Sequence, residues 1–294
     1  MSSMHFQPPN RESAKNKFIT SMSMLLIIIS LYATCYMLFF RTVEVDVTKA
    51  AEITYRGESG TATLTVSNRS QDYNQRIQEF MDSITYKASD RKNLKNGDTV
   101  TITASYDSTL ADRYHIDPIN VERTITVENL PIRYEHADEI EDGYLKKMDQ
   151  RGQQYLDKNM ESILDEDFTA FFITSQPQLV DAKRMYRVFL DSKKTSSKDK
   201  VIDIYAIKAK GEVNTSSKEQ KLEEKEETIY YMITYNEINT SQKILDENVY
   251  GEKLMNKTNT DLSKEENFKK FIQSKYGSVY GIYMMDSAHA EKGK

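Results

Sequence analysis

An uncharged run of 23 residues, FITSMSMLLIIISLYATCYMLFF at positions 18–40, constrains this chain more than any other feature. As a helix it is about 34 Å long at about 1.5 Å per residue, enough to cross a hydrocarbon core about 30 Å thick. Phe18 and Phe40 bound the expected span, and Leu25, Ile28 and Leu31 fall inside it. Arg11, Lys15 and Lys17 precede it against the single Glu12, whereas Arg41 is followed by Glu44 and Asp46. The positive-inside bias therefore places residues 1–17 in the cytosol and everything after the span outside. A cleaved signal peptide is the competing reading. It fits less well, because the run exceeds the roughly 7–15 residues of an h-region and ends in bulky side chains where cleavage needs small ones. Cys35 follows Tyr32, Ala33 and Thr34, which lack the aliphatic residue of a lipoprotein signal, so it reads as a small apolar side chain in the span.

Composition removes several function classes. The 294 residues suggest about two domains at roughly 150 residues each. One cysteine and four histidines exclude a disulfide scaffold and a Cys/His zinc cluster. Beyond the span, residues 41–294 hold 37 Lys+Arg and 44 Asp+Glu, a net −7 that gives no bulk attraction to nucleic acid or anionic lipid. No cofactor is implied.

After the span, Val43, Val45 and Val47 alternate with Glu44 and Asp46, and a second alternation holds Ala62, Leu64 and Val66. With GESG between them, the pair reads as a hairpin whose turn uses Gly57 and Gly60. Ile77, Phe80, Met81 and Ile84 fall on one helical face. Asn96, Gly97 and Asp98 then form a turn into Val100, Ile102 and Ala104, and a last strand carries Ile125 and Val127 up to Leu130-Pro131. The order is β-β-α-β-β over residues 41–131.

The stretches YRGESGTA (55–62), LKNGDTV (94–100) and TVENLP (126–131) resemble a domain of membrane-anchored extracytoplasmic proteins of Gram-positive bacteria related to TcaA. The resemblance covers residues 43–131, under a third of the chain. It implies a cell-envelope role, which in TcaA is linked to glycopeptide susceptibility. Many members carry a zinc ribbon before the membrane helix. Residues 1–17 contain no cysteine, so the ribbon is absent here.

From 135 to 165, apolar residues at three- and four-residue spacings predict an amphipathic helix interrupted near Gly152. Period-two strands follow at 185–190, 201–209, 228–235 and 279–285, with polar loops at 192–200 and 214–227 and a short helix around Phe268, Phe271 and Ile272. A long helix on an antiparallel meander, residues 132–287, is an α+β arrangement similar to cystatin or NTF2-like domains. Residues 288–294 read as a disordered tail.

The chemistry-bearing motifs are missing: no G-x-S-x-G, no phosphate loop and no H-E-x-x-H. His136 stands among acids that complement a helix N-terminus, and His115 near Asp117-Pro118 reads as a loop residue. Asp157–Asp167 lacks the glycine and final glutamate of an EF-hand loop. In IYYMITY (229–235), Tyr231 and Tyr235 share a core face with Ile229 and Ile233. Tyr230 and Met232 lie on the other face, either under a helix or lining a candidate groove. The leading expectation is a non-catalytic, single-pass binding or accessory protein of the cell envelope, embedded in the bilayer through 18–40 and meeting a protein or cell-wall partner outside. The alternatives are an exported carboxylate-dependent hydrolase of wall polymer or peptide and a membrane-anchored subunit of a secretion or surface-assembly machine.

Overall fold

The computed structural model describes residues 11–37, 41–70, 73–173, 177–215, 222–255 and 260–285. Phe40 and the tail 288–294 lie outside them. The architecture is α+β, with one apolar helix near the N-terminus and several sheets after it. The chain forms two compact units: Met1–Tyr55, Leu64–Arg91 and Gly97–Val127 make the first, and Arg56–Thr63, Lys92–Asn96 and Glu128–Lys294 the second.

Helix α1 (Arg11–Cys35) carries the predicted span. Its stretch Lys15–Cys35 is long and apolar enough to cross a membrane, and none of it is buried by the rest of the protein. Phe18 is 68% exposed, Leu25 53%, Ile28 55% and Leu31 65%. A largely apolar helix with no protein packed against it is compatible with a membrane anchor or a signal sequence. Two of its hydroxyls bond back within the helix: Thr20 Oγ1 donates to Asn16 O and Thr34 Oγ1 to Ser30 O, each at 2.8 Å. Arg11 opens the helix, and Lys15 and Lys17 lie exposed near its start.

In the first unit, β1 (Val43–Asp46) runs parallel to β6 (Ile116–Ile119), with Val43 opposite Ile116 and Val45 opposite Pro118. This corrects the expected pairing of 43–47 with 62–66. The hairpin instead joins β2 (Ala51–Arg56) to β3 (Thr63–Asn68). The reason is local: Asp46 Oδ1 accepts from Thr48 N and Thr48 Oγ1, both at 3.0 Å, closing a turn that ends β1 early. A three-stranded antiparallel sheet follows, ordered β4 (Thr85–Ala88), β5 (Thr99–Ser105), β7 (Glu122–Thr126). Val100, Ile102 and Ala104 of β5 are buried, as are Phe80 and Met81 of α2 (Gln75–Asp82). Asn74 caps α2 by accepting from Ile77 N at 3.0 Å. Helix α3 (Ser108–Tyr114), which the sequence pattern does not announce, ends on His115 in the left-handed conformation, φ 51°.

The second unit is built on a five-stranded antiparallel sheet. In chain order its strands are β8 (Gln178–Ser192), β9 (Lys200–Asn214), β10 (Leu222–Asn236), β11 (Val249–Lys253) and β12 (Tyr280–Met285). In space the order is β11-β10-β9-β8-β12. Helix α4 (Asp142–Asp167) covers one face, where Tyr144, Met148 and Leu156 pack against Phe189, Ile207 and Ile233. Helix α5 (Glu265–Tyr276) covers the other, where Phe268 and Ile272 pack against Val188, Ile202 and Ile204. The sheet is thus sandwiched between two helices, a three-layer arrangement and not a single helix laid on a meander.

Two further expectations are corrected here. Helix α4 runs unbroken through Gly152. A Cβ at Gly152 would stand 2.3 Å from Tyr235 Oη and 3.0 Å from Tyr205 Oη, so the glycine serves close approach of the sheet's tyrosines. In the polar stretch 214–227, residues 216–221 lie outside the described residues, while Asn214 and 222–227 are strand, β9 and β10 staying paired out to Asn214 and Leu222.

Candidate functional site at an open sheet edge

Buried charge is the first place to look for chemistry, and in this molecule it is consumed internally. Asp203, fully buried under α4, accepts from Arg187 Nε at 2.6 Å and from Tyr235 Oη at 3.2 Å. Arg187 also reaches Asp149 at 2.9 Å, and Arg184 pairs with that same carboxylate. Burial works against the Arg187 charge, but Asp203 and Asp149 outweigh it and raise the guanidinium above its ordinary value. Burial, then the Asp203 charge, pushes the Tyr235 hydroxyl up, so it stays a neutral donor, giving its proton to Met148 O at 2.8 Å.

A second ionic knot lies at the β8–β9 turn. Asp199, fully buried, accepts from Arg133 Nε and from Ser192 N, each at 2.8 Å. Glu58, expected as a turn residue, is only 3% exposed; it accepts from Asn239 Nδ2 at 2.9 Å and pairs with Lys198 at 3.2 Å. Burial and then Asp199 raise the Asp191 carboxyl, with Arg133 opposing. The buried carboxylates of both knots have partners, and the two knots tie elements together. Among the described residues no three His, Cys, Asp or Glu side chains gather as a metal site. Glu139 Oε2 is committed to the backbone N–H of Glu135 at 2.9 Å, within the acidic stretch around His136.

The open feature lies on β12. In the continuous register with β8, Tyr280 stands opposite Ser192, and Lys193 N donates to Val279 O at 3.0 Å. Antiparallel pairs alternate between bonded and non-bonded. Residues 279, 281, 283 and 285 therefore face β8 with their backbone groups, and the N–H and C=O of Tyr280, Ile282 and Met284 point away from it. No other strand pairs there, and among the described residues none of these groups has a backbone partner. Beside this edge runs a groove of about 630 Å³ lined by Lys269, Lys270, Gln273 and Ser274 of α5 and by Ile282 and Met284 of β12. On the opposite flank of α5, Lys275 holds Glu252 of β11 at 2.8 Å. On the far edge of the sheet α4 takes up one outward group: Gly251 N of β11 donates to Tyr155 Oη at 2.9 Å.

The sequence-predicted positions are distributed as follows. Gly57, Gly60 and Gly97 all take positive φ, at 109°, 94° and 92°. Asn96 exchanges bonds with Leu130, Nδ2 to O at 3.0 Å and Oδ1 from N at 2.8 Å, and Asp98 O accepts from Val127 N at 2.8 Å. These are framework turns. Tyr230 and Met232 do not line a groove: Met232 is 1% exposed beneath α5, touched by Tyr276 Oη at 3.4 Å, and Tyr230 is half-buried with its hydroxyl 3.4 Å from Asp261. Helix α5 fills that face because Phe268, Phe271 and Ile272 turn toward it. The groove that is open lies one element away, flanking β12, and the only sequence sign of it is an uncharged strand, YGIYMM, directly after a lysine-bearing helix.

Comparison with protein-family models, with curated proteins and with solved structures returned no match.

Proposed function

We propose that this chain is a single-pass, membrane-anchored binding or accessory protein of the bacterial cell envelope, with its N-terminus in the cytosol and residues 41–294 outside. The observation that carries the reading is α1: Lys15–Cys35 is long and apolar enough to cross a membrane and is unburied by the rest of the protein. Arg11, Lys15 and Lys17 at its start supply the charge bias that keeps that end in the cytosol. Its character as a binder rather than an enzyme is supported by the two ionic knots, whose carboxylates are spent on arginine, lysine and backbone partners, and by the absence of catalytic spacing in the sequence.

Trypsin applied to intact cells tests the reading. The β8–β9 turn offers Lys193 and Lys194, so a C-terminally tagged protein is expected to lose full length without lysis. Full protection in intact cells, with cleavage only after lysis, would overturn the topology and with it the envelope role.

A further inference from the structure

We propose that the β12 edge and the α5 groove together bind an extended, acidic polypeptide segment, which adds to the five-stranded sheet as a further strand. This deepens the proposed binding role by naming the chemistry of the partner.

Three observations carry it. First, sheets guard exposed edges with charge, proline, bulges or a covering element. Tyr280–Met285 has no charged residue and no proline, and its register with β8 has no shift. On the sheet's other edge, by contrast, the outward N–H of Gly251 is taken up by Tyr155. The far end of β12 is sheltered, where Met285 packs into the α4-side core together with Ala137 of the turn Ala137–Glu139. Second, Ile282 and Met284 give the groove an apolar floor that accepts every other side chain of an added strand, and methionine adapts to varied shapes.

Third, the rim is basic in a protein that is acidic as a whole. Lys270 forms no ion pair among the described residues, and Lys269 holds only the exposed Glu265 of its own helix, at 2.6 Å. At the start of β12, Lys193 Nζ donates to Gly277 O at 2.6 Å, and Lys200 Nζ lies 5.8 Å from the Tyr280 ring. The acids nearby are Glu265 and Glu266 at the helix start, Asp191, which Arg133 pairs at 3.4 Å, and Asp138 and Glu139 in the turn Ala137–Glu139 that neighbours β12. The same charge disfavours a second copy, because edge-to-edge pairing of two β12 strands would bring both sets of lysines together.

The test uses the full chain in detergent and a fluorescent, end-capped octapeptide alternating Glu and Val. Saturable binding is expected by anisotropy. It should weaken at least about tenfold when alternate peptide amides are N-methylated, when Lys replaces Glu in the peptide, or in the Lys269→Glu/Lys270→Glu protein. Ile282→Pro, which deletes an outward N–H, should abolish binding; the N-methylated peptide asks the same question without touching the fold. No binding at millimolar peptide, or equal binding of the N-methylated form, would overturn the proposal. So would concentration-dependent dimerisation lost in Ile282→Pro, which would make a second copy the occupant. The assay is blind to membrane sidedness, so its failure and the failure of the topology are read separately.

Discussion

Gly152→Ala puts the packing of α4 on the sheet to a quantitative test. At an unconstrained helix position this change stabilises by about 1 kcal/mol. Here the new methyl would lie 2.3 Å from Tyr235 Oη and 3.0 Å from Tyr205 Oη. Tyr235 must then retreat, giving up its bonds to Met148 O at 2.8 Å and Asp203 at 3.2 Å. Overpacking costs about 1–3 kcal/mol, and leaving a buried acceptor short of a donor costs about 1–3 kcal/mol more. Set against the helix gain, the net loss centres on about 3 kcal/mol, a fall of roughly 6–12 °C for a unit of this size. In a Tyr235→Phe background the nearest atom of that ring is Cζ at 3.6 Å, an ordinary contact. The alanine should then cost under about 1 kcal/mol, and the double-mutant cycle should show coupling of about 2 kcal/mol. Near-UV circular dichroism melts of the full chain in detergent supply all four corners. A Gly152→Ala protein that melts above wild type, or a cycle with no coupling, would refute the account of how α4 seats on the sheet.

Other outcomes follow from the same contacts. Arg187→Met strands the fully buried Asp203 and should cost about 3–5 kcal/mol in chemical denaturation, most of it recovered in Arg187→Met/Asp203→Leu; a single mutant of wild-type stability would contradict the network. Gly57→Ala should destabilise by about 1–2 kcal/mol, because φ is 109° and the methyl would meet Ala62 Cα at 3.2 Å; an unchanged melt would place the turn in another conformation. For Asp46, burial raises the carboxyl, but donors from Asn120 and Thr48 outweigh it and hold it below its ordinary value of 3.8. A depressed folded value means the Asp46 contribution is complete above 3.8 and fades as pH falls through the lower folded value. The stability advantage of wild type over Asp46→Asn should therefore shrink with acid, and an advantage constant from neutral pH down to acid would contradict it.

Local pattern made parts of this molecule legible and left others dark, for physical reasons. The alternation Val100, Ile102, Ala104 and the pair Phe80, Met81 announce buried faces because burial on one side of a strand or helix writes itself into neighbouring residues. Pairing partners do not: β1 finds β6 more than seventy residues away, and nothing in VEVD distinguishes that parallel partner from a nearby hairpin. Gly152 looks like a helix breaker until Tyr235 arrives from another element to fill the space. Asp203 sits in VIDIY as if turned to solvent, and Arg187 on the adjacent strand, with Tyr235 from another, makes its burial tolerable. The candidate site was the least legible of all. That β12 is an edge depends on the order of five strands, a global property, so YGIYMM reads in isolation like any core strand.

Paired C-terminal reporters test the central claim most directly. Fused after Lys294, alkaline phosphatase becomes active only outside the membrane, whereas green fluorescent protein lights in the cytosol and stays dark when exported through the general pathway. The account predicts an active phosphatase fusion and a dark fluorescent one, both membrane-associated through α1. A bright fluorescent fusion with an inactive phosphatase would contradict it.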